Sequence, residues 1–202
     1  QYVPFRGLSE HALRKYEIRT KVVGDRPTSV CFDYKGFLKV RSLAEKKFYI
    51  SGPRTDGLFG KSAFPKGSFD TIVITEGELD APSVFAMVNQ PAVSVQSSSQ
   101  AVKDCKADYE YLNSAKRIIL CFDNDIAGQT ASKAVAALFD FNKVFKIEMA
   151  TRKDANDYLQ NNDVETFRKA FANAKKYVPD GVVSSYSEIE DILENDVAKS
   201  VV

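Results

Sequence analysis

From residue 70 onward, short apolar runs alternate with longer stretches in which apolar residues recur at helical spacing. The apolar runs predict strands at residues 71–75, 92–96, 117–122 and 144–150. The periodic stretches predict helices at residues 80–88, 101–114, 129–139, 154–159 and 164–174. Strands that alternate with helices form βαβ units, so we predict an α/β domain with a mostly parallel four-stranded sheet and flanking helices.

The first 68 residues follow a different pattern, in which short strand-like pieces are separated by glycines and polar turns. A helix is predicted over residues 9–16, with Ser9 as its N-cap. Alternating apolar and polar residues predict a meander of strands at residues 29–34, 37–43 and 46–51. The basic side chains along this meander are Lys39, Arg41, Lys46 and Lys47. A small basic α+β subdomain is therefore predicted in front of the α/β domain.

A third pattern begins after the break at residues 179–181. The segment that follows is acidic and amphipathic, with Ser187 as a candidate helix cap and Ile189, Ile192 and Leu193 at helical spacing. A short helix after such a break is typical of a linker or a docking element. The predicted organisation is a basic subdomain at 1–68, an α/β subdomain at 69–178 and an interdomain linker at 179–202.

The composition excludes several classes of protein. With 44% hydrophobic residues among 202, the chain can bury a core and is not a disordered tail. No apolar run approaches the roughly 18 residues of a membrane span, and no signal-peptide pattern is present, so no membrane partner is expected. The 3 cysteines and 1 histidine cannot form an ordinary zinc site, and an intracellular, reducing setting fits them.

The distribution of charge is uneven along the chain. Residues 1–68 carry 14 Lys and Arg against 6 Asp and Glu, a net +8, whereas residues 69–202 carry 14 against 21, a net −7. A basic lobe joined to an acidic one can hold a polyanion on the first and metal ions on the second. Ordinary variation in surface charge is the alternative explanation.

Acidic residues follow the predicted strands at the points where those strands end. The motif ITEGELD places Glu76 after one strand, Gly77 at the turn and Asp80 in the first turn of the next helix. The motif CFDNDIAG places Asp123 and Asp125 after another strand, and residues two apart in an extended chain face the same side. The carboxyl ends of parallel strands form the ligand-binding edge of such a sheet, so these carboxylates should converge there.

Carboxylates this close repel one another unless cations neutralise them, and magnesium is the oxygen-binding cation of phosphate chemistry. The pattern therefore predicts a magnesium-dependent phosphoryl-transfer site, with Asp154 after the fourth strand as a further candidate ligand. As alternatives, Glu76 and Asp80 could be solvated, with Asp80 favouring the helix N-terminus, and Asp154 could be a helix N-cap. The sequence has no P-loop motif, and the serines at 97–99 have no histidine partner.

The order of these motifs resembles a known family. EGxxD followed by DxD and AG on alternating strands and helices resembles the Toprim fold of primases and topoisomerases. More closely, the chain resembles the primase part of the primase–helicases of T-odd bacteriophages and their Twinkle-type organelle relatives. The resemblance runs through PFRGLS, LKVRS, GLFGK, VITEGELD, DYEYLNSAKRIILCFDNDIAG, KDANDYL and YVPDGVVS. One departure is VQSSSQA at 95–101, where relatives usually have a glycine-containing loop.

The resemblance also implies roles for individual residues. The implied metal ligands are Glu76, Asp123, Asp125 and Asp154. The implied catalytic residues are Glu76, Asp123, Asp125, Lys39 and Lys61. The implied nucleotide- and DNA-binding residues are Lys39, Arg41, Lys46, Lys61 and Asp80.

The function implied by the resemblance is that of a DNA primase catalytic domain, a nucleotidyltransferase. It would synthesise short RNA primers from NTPs on single-stranded DNA with two Mg²⁺ ions, or Mn²⁺ in their place. The zinc-binding and helicase domains would lie outside these residues, so short and poorly template-specific products are expected. Alternatives are a catalytically weak Toprim module that binds DNA and supports a hexameric helicase, and a Toprim nuclease.

The implied partners are the DNA template, NTPs, the RNA primer, the zinc-binding and helicase domains, and a replicative DNA polymerase. The implied compartment is the cytoplasm of an infected bacterium if the protein is phage-encoded, and otherwise a mitochondrion or plastid.

Overall fold

The computed structural model describes residues 1–45 and 47–179. Lys46 lies outside the described residues, and so does the segment at 180–202 with Ser187, Ile189, Ile192 and Leu193. Within the described ranges, no helix has the length and apolarity needed to cross a bilayer.

The N-terminal region contains one helix and an antiparallel sheet. Helix α1 spans Glu10–Lys15, and Ser9 caps it as predicted by accepting a hydrogen bond from the Ala12 N–H at 3.3 Å. The four strands follow the order β1-β2-β3-β4. They are β1 (Arg19–Val23), β2 (Arg26–Asp33), β3 (Leu38–Ser42) and β4 (Phe48–Ser51). The meander is confirmed, with β1 as an additional strand.

The second sheet has five strands in the order β6-β5-β7-β8-β9. They are β5 (Thr71–Thr75), β6 (Ala92–Ser94), β7 (Arg117–Cys121), β8 (Val144–Lys146) and β9 (Lys175–Lys176). The first four pair in parallel, as predicted, whereas β9 adds an antiparallel edge. Strand β7 is central and almost fully buried, which agrees with its apolar sequence.

Six α-helices and two short 3₁₀ helices, at Ser98–Gln100 and Phe141–Lys143, lie between these strands, and the α-helices cover the sheet. They are α2 (Asp80–Val88), α3 (Ala101–Ala107), α4 (Tyr109–Asn113), α5 (Ile126–Ala136), α6 (Ala155–Gln160) and α7 (Val164–Ala172). The single helix predicted over 101–114 is thus two helices that meet at Asp108. The helix predicted to begin at residue 129 begins at Ile126, because the Asp125 carboxylate caps it by accepting from the Gly128 N–H at 2.9 Å.

The two sheets share one hydrophobic core, so the predicted boundary at residue 68 stays a prediction. The phenol of Tyr16, after α1, donates to the carbonyl oxygens of Ala81 and Ala92 at 3.2 and 2.9 Å. A short antiparallel bridge between Phe59 and Ser94 joins the connecting loop to β6. These contacts hold β3 and β4 opposite the carboxyl ends of the parallel strands, where the cavity described below opens.

Candidate active site

A cavity of about 500 Å³ lies between β3–β4 and the carboxyl edge of the parallel sheet. Its acidic lining residues are Glu76, Glu78, Asp80, Asp123 and Asp154. Its basic lining residues are Arg6, Lys39, Arg41, Arg54 and Lys153. We call this cavity the cleft. The structure therefore brings four of the five predicted acidic residues together, across from two of the predicted basic ones.

Glu76 comes directly after the buried strand β5, where the parallel strands have their carboxyl ends. Its Oε2 atom is buried and has no hydrogen-bond partner in the described structure. Burial raises the pKa of the Glu76 carboxyl, and the nearby Asp123 raises it further. An unpartnered buried carboxylate oxygen is costly, so this position favours a ligand that carries positive charge.

Asp123 and Asp125 converge on one ammonium group. Lys153 Nζ lies 3.3 Å from an oxygen of each carboxylate. Burial followed by the charge of Asp154 raises the pKa of Asp123. Hydrogen bonding to the Gly128 N–H lowers the pKa of Asp125, which is more exposed and does not line the cleft. Lys153 thus supplies the positive charge that these carboxylates require.

Two glycines make this crowding possible. A Cβ atom at Gly77 would lie 2.5 Å from Asp80 Oδ2, so a side chain there would force the buried Asp80 carboxylate to shift. A Cβ atom at Gly128 would lie 2.3 Å from the Asp123 carbonyl oxygen. Both distances are below the separation of ordinary contacts, which accounts for glycine in each acidic motif.

Asp154 and Asp80 are linked through α6. The Asp154 carboxylate caps α6 by accepting from the Asp157 N–H at 2.7 Å. The same side chain lines the cleft, so its role as a metal ligand stays a prediction beside the observed cap. The Asp80 carboxylate is buried and accepts from the Asn156 N–H at 2.9 Å. Burial raises the pKa of Asp80, and the charge of Asp154 adds to the shift. Asp80 is therefore not solvated, which corrects that alternative.

Lys39 is held in the cleft by a buried ion pair. Its Nζ donates to Glu78 Oε1 at 2.5 Å and to the Gln96 carbonyl oxygen at 2.8 Å. The Tyr34 phenol donates to the same Glu78 oxygen at 2.7 Å. These bonds connect β3 with the turn after β5 and with the loop after β6. We call the side of the cleft with Glu76, Asp123 and Asp154 the acidic wall, and the side with Lys39, Arg41 and Arg54 the basic wall. The Lys39 side chain therefore holds the two walls together.

Three arginines in the cleft have no ion-pair partner among the described residues: Arg6, Arg41 and Arg54. The Arg41 Nε is buried without a hydrogen bond, and burial lowers the pKa of its guanidinium. The Arg54 Nε donates to Gln96 Oε1 at 2.7 Å. Cations left unpaired in a cleft indicate an anionic ligand.

Gln96 is itself held by the buried Asp104. The Asp104 carboxylate accepts from the Gln96 N–H at 2.8 Å, from its Nε2 at 3.0 Å and from the Gly57 N–H at 3.0 Å. The Gln96 Nε2 also donates to the Thr55 carbonyl oxygen at 2.9 Å. The loop at 95–101, which departs from the pattern of relatives, therefore fixes the Arg54 segment.

Lys61 lies outside the cleft. Its Nζ donates to Asp108 Oδ1 at 2.5 Å, and it lines a separate cavity with Tyr34 and Tyr111. The structure does not bring Lys61 to the acidic residues of the cleft, and its catalytic and nucleotide-binding roles stay predictions.

Magnesium fits the donor chemistry of the acidic wall, because carboxylate oxygens are its usual ligands and the buried Glu76 Oε2 lacks a partner. In the part of the chain that the structure describes, however, no three acidic, histidine or cysteine side chains already form a set that could hold a metal ion. The Lys153 side chain, which is 59% exposed, sits between Asp123 and Asp125. Metal binding therefore requires this exposed ammonium to move away.

Sequence reasoning missed several cleft residues, namely Arg6, Phe48, Arg54, Glu78, Gln96 and Lys153. Glu78 and Lys153 stand beside predicted ligands, in ITEGELD and RKDANDYL, so their proximity was a usable signal. Phe48 and Gln96 stand in predicted strands and Arg54 in a loop, and no local pattern marks any of the three as a cleft residue, so only the fold brings them together.

Comparison with known proteins shows which family the chain resembles. The Toprim-like family matches residues 73–159, which include the four predicted metal ligands. A DNA helicase/primase of Enterobacteria phage T3 is 38% identical over 154 residues, which are 74% of this chain and 26% of that protein. The chain thus spans about a quarter of the length of this curated relative.

Two solved structures are similar along most of the chain. The primase fragment of the bacteriophage T7 primase–helicase is 31% identical, with a TM-score of 0.75 over 85% of this chain and 74% of that one. A structure of the T7 lagging-strand DNA polymerase with the primase domains of two gp4 subunits matches with 31% identity and a TM-score of 0.77, over 88% of this chain and 94% of that one. That complex also includes an RNA/DNA hybrid and dTTP.

Proposed function

Because the chain belongs to the family of primase domains found in phage primase–helicases, we propose that it joins ribonucleoside triphosphates into short RNA primers on single-stranded DNA. The observation that carries this proposal is the opposition of charges across the cleft. Glu76, Asp123 and Asp154 line one wall, and the unpaired Arg41 and Arg54 line the other. A nucleotidyl transfer needs both, since it brings together the phosphates of a triphosphate and of a nucleic acid.

The acidic wall would hold the metal ions. Glu76, Asp123, Asp125 and Asp154 are the proposed ligands for two Mg²⁺ ions, with Mn²⁺ as a substitute. When bound, these ions lower the pKa of the attacking 3′-hydroxyl and neutralise the triphosphate. The 3′-hydroxyl loses its proton to water as its oxygen bonds to the α-phosphorus of the incoming nucleotide. The bond from that phosphorus to the oxygen bridging to the β-phosphate breaks, and pyrophosphate leaves.

The protein's own groups position the reactants. The buried ion pair of Lys39 and Glu78 fixes the position of β3 relative to the turn after β5, and the Lys39 ammonium adds positive charge near the phosphates. Arg54 is aimed by Gln96, so its remaining N–H groups can bind a phosphate without a further loss of side-chain freedom. Because the Lys39 ammonium is fixed before the substrate arrives, it stabilises charge that develops during the transfer.

The proposal extends to the partners of such a domain. We place a zinc-binding domain, a hexameric helicase and a replicative DNA polymerase among the partners of the whole protein. The phage relative supports action in the cytoplasm of an infected bacterium. A domain that acts without the zinc-binding domain should make short products with little template preference, such as dinucleotides.

One incubation separates the three functions considered. The protein is mixed with single-stranded DNA in Mg²⁺ or Mn²⁺, with the label either on the α-phosphate of the NTPs or on the DNA. We expect labelled oligonucleotides from the NTPs and intact DNA. Cleaved DNA would instead identify a nuclease, and DNA binding with neither product would identify a catalytically weak module. A variant that carries both Glu76→Gln and Asp123→Asn controls for contaminating enzymes.

A further inference from the structure

Phe48 is an aromatic side chain exposed on the basic wall of the cleft. Strand β4 is the edge of its sheet, and Phe48 is paired with Arg41 on β3. Phe48 and Ile50 both line the cleft, although they are 49% and 44% exposed. Tyr49, between them, is 60% exposed and does not line the cleft, because alternate residues of a strand face opposite sides. An apolar ring is thus held open to solvent among charged groups.

Cations surround this ring. Lys39 Nζ lies 4.8 Å and Arg41 Cζ 5.6 Å from its centroid, within the range of cation–π contacts. Arg41 and Arg54, which also line the cleft, have no ion-pair partner among the described residues. A basic groove with an exposed aromatic ring is the arrangement with which proteins bind single-stranded nucleic acid, the cations along the backbone and the ring against a base.

We propose that Phe48 is a stacking platform for an unpaired base of the DNA template, with Arg41 and Arg54 binding the adjacent phosphates. The template fits better than the incoming nucleotide for two reasons. The edge strand β4 is open to solvent, so a continuing strand can cross it. Lys39, which joins the acidic wall, is already balanced by Glu78, whereas the unpaired arginines are free to bind a further polyanion. Phe48 would thus form part of the template-binding surface of the proposed primase, and its assignment rests on that proposed function.

The first test measures binding of a fluorescein-labelled single-stranded oligonucleotide by anisotropy, in EDTA and without nucleotides, over a range of salt concentrations. Phe48→Ala and Phe48→Leu should bind about 5- to 150-fold more weakly, the fold-change that corresponds to about 1–3 kcal/mol of stacking. Phe48→Trp should bind as well as the wild type or better. The matched control is Tyr49→Ala, on the opposite face of the same strand, which should bind like the wild type.

The salt dependence separates stacking from a disturbed basic wall. Arg41→Ala should reduce the slope of log K against log salt by about 0.7, since one phosphate contact is lost. Phe48→Ala should leave that slope unchanged while lowering affinity at every salt concentration. A reduced slope in Phe48→Ala would mean that the ring merely supports the cations, and it would overturn the platform.

A second measurement works even at weak affinity. An oligonucleotide with 5-iododeoxyuridine crosslinks to a stacked aromatic ring under ultraviolet light, and trypsin then releases residues 48–54 as one peptide. We expect the crosslink on Phe48. A crosslink on Tyr49, or none in this peptide, would overturn the proposal. So would a Phe48→Ala protein with a raised KM for NTPs and unchanged DNA binding, because the ring would then serve the nucleotide. If primer synthesis fails while the DNA crosslinks to Phe48, the proposed function is wrong and the platform stands.

Discussion

A Cβ atom on Gly128 would lie 2.9 Å from Oε2 of Glu76, so the helix that follows the second acidic motif packs directly against the carboxylate of the first. The same atom would lie 2.3 Å from the Asp123 carbonyl oxygen. The acidic edge is therefore assembled by close packing of backbone as well as by the placement of charges.

This contact makes Gly128→Ala a sharp test of the edge geometry. The added methyl group must displace α5 or the Asp123 backbone, so we expect the free energy of unfolding to fall by about 1–3 kcal/mol. We also expect primer synthesis to be lost, since Glu76 and Asp123 move apart. Urea unfolding and a nucleotide-incorporation assay measure the two effects. Gly36→Ala is the matched control, because a Cβ atom there meets nothing within 4 Å. Normal activity in Gly128→Ala would show that the edge tolerates rearrangement.

The role of Asp154 can be separated from its function as a helix cap. Asparagine caps helices about as well as aspartate, so Asp154→Asn should fold like the wild type while one charge is removed from the cleft. Mg²⁺ at ten times its dissociation constant should stabilise the wild type by about 1.4 kcal/mol, measured as a shift in thermal unfolding. The shift should shrink in Asp154→Asn. An identical shift in both proteins would mean that Asp154 is a cap and not a ligand.

Asp80 predicts how stability depends on pH. Because burial raises the pKa of this carboxyl in the folded protein, its contribution to stability is present below the pKa of the unfolded chain and is lost as pH rises through the folded value. Asp80→Asn should therefore be more stable than the wild type at pH 7 by about 1–2 kcal/mol in EDTA, with a smaller difference near pH 4.

Asp163 provides a control of opposite sign for this measurement. The hydrogen bond from Thr166 lowers the pKa of Asp163, so its contribution is present above the unfolded pKa and is lost as pH falls through the folded one. Asp163→Asn should therefore be less stable than the wild type at neutral pH. Urea unfolding of the wild type, Asp80→Asn and Asp163→Asn between pH 4 and pH 7 measures both effects. A loss of stability in Asp80→Asn at pH 7 would show that burial of the Asp80 charge is not destabilising.

Lys39 and Lys61 should differ in their effect on catalysis, because only Lys39 lies in the cleft. Each lysine forms an ion pair with one carboxylate. We therefore replace both members of each pair by neutral residues, so that no charge is left without its partner. The Lys39→Met, Glu78→Gln protein should lose about tenfold or more in kcat/KM for NTPs, equivalent to about 1.4 kcal/mol. The Lys61→Met, Asp108→Asn protein should lose less than about twofold. The opposite order would support the catalytic role that the family resemblance implies for Lys61.

The strand ends were predictable from sequence, whereas the contacts across the cleft were not. Glu76, Asp123 and Asp154 follow apolar runs, and the rule that parallel strands carry ligands at their carboxyl ends brings them to one edge. Lys39 meets Glu78 and Gln96 through long-range packing of two sheets, for which no local pattern exists. Strand β1 was missed because its inward residue is the buried Thr20, so the strand shows no clear apolar alternation.

The edge strand β9 was missed for a different reason. Its two residues, Lys175 and Lys176, are both exposed and too few to show any period. Family resemblance supplied Lys61 as well as Lys39, and nothing in the sequence itself could reveal that Lys61 turns toward Asp108. Local patterns thus identified the acidic wall, and the composition of the basic wall required the fold.

The proposed metal-dependent nucleotidyl transfer at the acidic wall is tested by removing two of its carboxylates. The wild type and the Asp123→Asn, Asp125→Asn protein are incubated with α-labelled NTPs, single-stranded DNA and Mg²⁺, and the initial rate of oligonucleotide formation is measured. We expect Mg²⁺-dependent products from the wild type and a rate at least about 1,000-fold lower in the variant, since several kcal/mol of charge stabilisation is lost. A variant that joins nucleotides at the wild-type rate would show that these carboxylates do not carry the reaction.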